Sequence, residues 1–177
     1  MSTALTFVEK DLLESPVASP DGDWHYTTNT TRSFWGPKST AVTAASGLIG
    51  MIEWRAKVFV LNGEVREVKD LKCRAAGDGC QWGWGSGPYV LQYSNSHKEL
   101  LATPLSGSAV RFTTYRRRLF RASEPAAVYF PEKMDERERL FLLMAMLHTE
   151  TMRNSLFQLL SPVFRLLSRS SPYVQLY

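Results

Sequence analysis

Metal-binding and redox residues are scarce in this chain. It holds two cysteines and three histidines in 177 residues. Two cysteines alone cannot build a structural zinc site. His25, His97 and His148 are scattered, with no His-x-x-x-His spacing to put two ligands on one helix face. A Gly-x-Ser-x-Gly nucleophile elbow is absent too. The glycine-rich Gly83-Trp84-Gly85-Ser86-Gly87 lies between strand candidates, without the following helix that a phosphate loop needs. A flexible hairpin or bulge is the plainer reading. No cofactor or metal is expected.

Long apolar runs are lacking as well. A membrane-spanning helix needs ~20 consecutive apolar residues, and the densest run, Leu140 to Leu147, has eight. The start of the chain shows neither a basic region nor an apolar core of the signal-peptide kind. That sets the expectation of a cytoplasmic protein with free thiols. Net charge is only +4, a mild excess that weighs against nucleic acid as the partner.

What is present points to one globular domain. Hydrophobic residues make up 44% and charged residues 21%, ordinary values for a folded chain. Aromatics reach 12% and suit sheets. Short strand-like runs follow one another from Leu5 to Phe130. Gly36-Pro37 reads as a break and residues 15–23 as a loop. Glu64 to Val68 alternates strictly after Asn62-Gly63, the strongest short-range hairpin signal. Leu71–Arg74 and Cys80–Trp84 flank a second turn at Ala76-Gly77-Asp78-Gly79. A two-residue loop there would set Cys73 across from Cys80 and permit a strained disulfide; the compartment favours free thiols.

After Pro131 the pattern changes. Asp135 can cap a helix, with Glu138 as capping-box partner. That helix is predicted over residues 135–154. Every face of Leu140–Leu147 is apolar, so it must be enclosed. Burial of these side chains contributes on the order of 12–20 kcal/mol before entropy. One flat sheet covers only one side of a helix. The expected fold is therefore α+β: a mostly antiparallel β-barrel or strongly curled sheet around one hydrophobic helix, spanning residues 1–154 with a tail over 155–177.

Leu5-Thr6-Phe7, Ile52-Glu53-Trp54-Arg55 and the Leu-rich terminal helix together resemble a fungal family of domains of unknown function. Their order is also similar to the tubby-like group, which includes LURP-one-related proteins and phospholipid scramblases. That resemblance implies a barrel enclosing a hydrophobic C-terminal helix, and brings no established activity.

Two features carry the functional expectations. Arg111, Arg116, Arg117, Arg118 and Arg121 form a basic cluster suited to phosphate groups of lipid; the bland reading is an edge strand protected by charge. Residues 156–169 are apolar apart from a narrow stripe of Gln158, Ser161, Arg165 and Ser168, with Pro162 interrupting or restarting the helix. Such a segment packs on its own domain, closes a homodimer, joins a protein partner or lies on an anionic membrane surface. The expected function is a non-enzymatic binding module for phospholipid headgroups or a protein partner. The alternative is a small barrel enzyme of the isomerase or cyclase type. Trp82, Trp84, His97 and Glu53 would then line a cavity for a hydrophobic small molecule.

Overall fold

The computed structural model describes residues 2–34, 36–75, 79–85, 87–94, 96–115 and 124–169, with backbone alone for Ser2 and residues 155–169. Thirteen strands form a single antiparallel sheet. They are β1 (Ser2–Phe7), β2 (Pro16–Ala18), β3 (Trp24–Ser33), β4 (Gly36–Ala44), β5 (Ile49–Glu53), β6 (Val58–Leu61), β7 (Glu64–Glu67), β8 (Lys72–Arg74), β9 (Cys80–Trp82), β10 (Tyr89–Ser94), β11 (Glu99–Pro104), β12 (Val110–Thr113) and β13 (Ala127–Pro131). A single helical turn, α1 (Val68–Leu71), joins β7 to β8, and α2 (Glu136–Arg169) follows the last strand.

Sheet order is β7-β6-β5-β4-β3-β2-β1-β13-β12-β11-β10-β9-β8. Two meanders are thus spliced where β1 pairs with β13, in register from Ser2↔Pro131 to Thr6↔Ala127. The outermost strands, β7 and β8, are neighbours in sequence through α1. No ladder joins them among the described residues, so the sheet is open along that seam.

Curling of the sheet follows from the helix. Leu140 through Leu147 are all at most 2% exposed, and one helix with one sheet reaches that state only if the sheet wraps round it. The inward positions alternate as strand geometry demands: Val42 and Ala44 on β4, Ile52 on β5, Phe59 and Leu61 on β6, Trp82 on β9. Packing is close. A Cβ on Gly50 would lie 2.3 Å from Met144 Sδ and 3.4 Å from Leu140 Cγ; the absent side chain lets α2 approach β5.

Local signals act as expected at several points. Asn62 and Gly63 hold φ of 50° and 81°, the positive pair a two-residue type I′ turn requires, and Leu61 pairs with Glu64 across it. Asp135 caps α2: its Oδ2 accepts from the backbone N–H of Arg137 at 3.0 Å and of Glu138 at 3.4 Å.

Elsewhere the expectation needs correction. The helix predicted to end at about Asn154 runs to Arg169. No glycine or proline stands between Asn154 and Ser161, and the helix continues past Pro162, which lacks only one backbone donor. Gly36-Pro37 opens β4 rather than breaking the sheet. The presumed loop at 15–23 contains β2, whose Val17 is fully buried. The Leu71–Arg74 strand begins one residue later, because Leu71 closes α1.

Candidate functional site

The curled sheet has two ends. At the entry end lies the N-terminus of α2; at the exit end lie its residues 150–154, from which the helix continues to Arg169. Between them the interior is occupied by side chains.

His148 sits within that interior. Its ring stacks on Trp54 at 5.4 Å with 3° between planes, and meets Phe59 and Trp82 edge-on at 5.6 and 5.5 Å. Burial, with Lys72 nearby, lowers its pKa from 6.5 to about 4. The imidazole is neutral at physiological pH and acts as a fourth ring of the core. Trp82 Nε1 and His148 Nδ1 are buried without a hydrogen-bond partner.

The entry end holds a cleft of about 420 Å³ where the open seam meets α2, lined by Glu64, Arg66, Trp84, Arg137 and Phe141 among others. Its charges satisfy one another. Glu64 Oε1 accepts from Arg66 Nε at 2.7 Å, while Oε2 accepts from Arg137 Nη2 at 2.6 Å and Trp84 Nε1 at 3.2 Å. Arg66 Nη1 donates to the Trp84 carbonyl at 2.7 Å and its guanidinium lies over the Trp84 ring. The bonds from Arg66, then from Trp84, hold the Glu64 carboxyl below its usual range against some desolvation. Side chains therefore bridge the seam where the ladder does not. Beside it, Tyr89 Oη donates to Glu138 Oε1 at 2.9 Å, so the expected capping-box residue also ties α2 to β10.

Exit-end geometry is set by a polar chain inside the sheet. Thr30 Oγ1 contacts Thr40 Oγ1 at 2.7 Å and Leu13 O at 2.7 Å; Trp54 Nε1 donates to Thr40 Oγ1 at 2.8 Å; Thr28 Oγ1 donates to Leu12 O at 2.9 Å. These bonds fold the β1–β2 loop over the opening and fix it to the β3–β4 hairpin. Arg32 pairs with Asp11 and with Glu14 at 3.1 Å. Glu150, buried on α2, pairs with Arg153 at 2.6 Å, and Arg153 lies over the Tyr93 ring at 4.1 Å. A cleft of about 430 Å³ runs between these parts. It is lined by Lys10, Asp11 and Arg32 on one side and by Thr114, Tyr115, Thr151, Arg153 and Asn154 on the other.

The residues expected from the sequence are spread out. Arg111 points outward from β12, lies over the Tyr129 ring at 4.2 Å and is 3.8 Å from Glu99. Arg116, Arg117, Arg118 and Arg121 lie outside the described residues. Trp82 is fully buried and Trp84 nearly so. Glu53, by contrast, takes an outward position on β5, and His97 is exposed in the β10–β11 turn. Of these four, only Trp84 lines the entry-end cleft. Cys73 is opposite Gln81 and Cys80 opposite Arg74, so the two cysteines occupy opposite faces of the sheet. Both are free thiols. The turn between them lies outside the described residues.

Sequence reading missed the Glu64–Arg66–Arg137 cluster, which joins residues 73 positions apart.

The class these observations define is a sheet-wrapped, single-helix module with a filled interior. Among the described residues no helix is long and apolar enough to cross a membrane, and no cluster of histidine, cysteine and acidic residues could hold a metal. No family model, curated protein or solved structure matches the chain.

Proposed function

We propose that the protein is a non-enzymatic binding module that attaches reversibly to anionic phospholipid surfaces through its exit end. One observation carries the reading. Thr114 and Tyr115, which immediately precede Arg116, line the same cleft as Thr151, Arg153 and Asn154, from which α2 continues as residues 155–169. The arginine-rich stretch thus starts where the apolar helical extension starts. At 1.5 Å per residue the extension is roughly 22 Å long, enough for an interfacial helix. Stable attachment takes two signals, an apolar one and a basic one. Each arginine near an anionic surface contributes about 1 kcal/mol. Arg116, Arg117, Arg118, Arg121, Arg165 and Arg169 together would supply up to about 6 kcal/mol, screened by salt.

The filled interior supports a module rather than an isomerase or cyclase, since a substrate cavity needs room that the aromatic and leucine side chains occupy. A sheet wrapped round one apolar C-terminal helix gives this reading its frame. A barrel would close at the Glu64–Trp84 seam.

Sedimentation with phosphatidylcholine vesicles, with and without phosphatidylserine, tests the proposal. The full chain is expected to pellet with the anionic vesicles in a salt-sensitive way, and the chain lacking residues 155–177 is expected to stay in solution. Self-association of the full chain by light scattering, with no lipid dependence, would assign the extension to a homodimer; a lipid-independent monomer would leave a protein partner as the reading.

A further inference from the structure

We infer that the open edge of β7 pairs with the same edge of a second copy of this chain, extending the sheet across a two-fold axis at Val65. The inference goes beyond the lipid-surface reading and does not rest on it.

Ladder geometry decides which backbone groups of β7 are free. Leu61 and Glu64 pair directly across the two-residue turn, so Glu64 and Arg66 exchange their backbone bonds with β6. Val68 N–H donates to Lys57 O at 2.8 Å and keeps that phase. The N–H and C=O of Val65 and the N–H of Glu67 therefore point to the open side. No backbone partner meets them there among the described residues. The bridges across the seam leave from the other face. Glu64 and Arg66 alternate with Val65 and reach Arg137 and the Trp84 carbonyl on the concave side. Val65 lies on the convex side and is 61% exposed.

An edge with free backbone groups is a template for a further strand, and the side chains of β7 select its own copy. A two-fold centred on Val65 sets Val65 opposite the partner's Val65, Glu64 opposite the partner's Arg66 and Gly63 opposite the partner's Glu67. Two bonds then join the valine pair, and each Glu67 N–H reaches the partner's Gly63 carbonyl. Other centres bring like charges together, which destabilises a strand pair. Midway between Val65 and Arg66, Glu64 would face the partner's Glu67. On Arg66 two guanidinium groups would meet, and on Glu67 two carboxylates. The Val65 register also prolongs an apolar row: Ala41, Met51, Val60 and Val65 are successive cross-strand neighbours on the convex face, and the partner's Val65 and Val60 continue it. Gly63 leaves room beside the partner's Glu67, where α1 begins. The other outermost strand, β8, opposes such pairing, because a two-fold at Cys73 would set Lys72 opposite the partner's Arg74.

Sedimentation velocity on the full chain without lipid tests the inference, over roughly 5 to roughly 500 μM, the range for so small an interface. The mass is expected to rise from 20.1 kDa toward twice that value. Val65→Pro removes the outward N–H and leaves the β6 ladder intact. Val65→Lys keeps the N–H and sets two ammonium groups opposite each other at the axis. Both variants are expected to stay monomeric throughout, with melting temperatures in dilute solution close to that of wild type. Ile49→Lys, exposed on β5 away from the edge, is expected to dimerise like wild type. Residue-resolved hydrogen exchange of wild type should show the Val65 and Glu67 amides slowing as the protein is concentrated. A wild type that stays monomeric at the highest concentration refutes the inference. A dimer that persists in Val65→Lys refutes it too, and would belong to the helical extension. Loss of the dimer in Ile49→Lys as well would place the contact on the sheet face and refute the edge. Vesicle binding is read separately, so either proposal can fail while the other stands.

Discussion

Leu143→Ala is the substitution that bears most directly on the enclosed helix. Leu143 is fully buried and is among the largest side chains in that state. It lies on the stretch of α2 where neighbours on both sides are also sealed. Truncation loses the transfer free energy of the removed atoms and leaves a cavity that the ladder-bonded strands cannot collapse to fill. Leucine-to-alanine changes in such sites cost about 2–5 kcal/mol. At about 2–4 °C per kcal/mol for a domain of this size, a cost near 3 kcal/mol lowers the melting temperature by about 6–12 °C. Val65→Ala, on β7 and 61% exposed, supplies the comparison and should shift melting by about 1 °C or less, as exposed sites do. Thermal denaturation followed by circular dichroism at 222 nm, the helix band, measures both. Leu143→Asp is the extreme case and should prevent folding, because it places a charge in a dry interior. A Leu143→Ala shift within about 2 °C, or one matched by Val65→Ala, would refute the enclosure.

Further outcomes follow from the same geometry. His148 has a pKa lowered to about 4 against 6.5 for an unperturbed histidine, so the unfolded chain binds the extra proton first as pH falls. Stability should be intact above pH 6.5 and decline between 6.5 and 4 by up to about 3 kcal/mol; His148→Phe should flatten that part of the pH profile in urea titrations. Glu64→Gln should lower the melting temperature at low ionic strength, and the difference should shrink at about 1 M salt, since the seam is held by exposed ion pairs. Cys73 should react with a thiol reagent in the native protein faster than the half-buried Cys80, and both should react after unfolding without reductant.

Much of the fold was legible because its signals are local. The Asn62-Gly63 turn requires positive φ, and only a few residue types supply it. The eight-residue apolar run dictates its own enclosure whatever the topology. Asp135 marks the helix start by capping chemistry. The helix end was not legible, because nothing but a single proline opposes continuation after Asn154. β2 was hidden, since three residues between prolines read as loop until β1 and β3 supply its partners. The cysteine register depended on the pairing of a short ladder, where a one-residue slip would set Cys73 opposite Cys80. For the site, the arginine run and the apolar extension stood out by composition, yet their common end became apparent only once Thr114, Tyr115 and α2 were placed around one cleft. The Glu64 cluster joins distant positions, and no periodicity reports such pairs.

Hydrogen exchange along α2, with and without anionic vesicles, reads enclosure and attachment in one experiment. Amides of residues 140–147 are expected to exchange only through global unfolding, with or without lipid. Residues 155–169 should exchange faster in solution and become protected when phosphatidylserine vesicles are added. Fast exchange over 140–147 would contradict the enclosure, and an exchange profile over 155–169 unchanged by lipid would contradict the attachment.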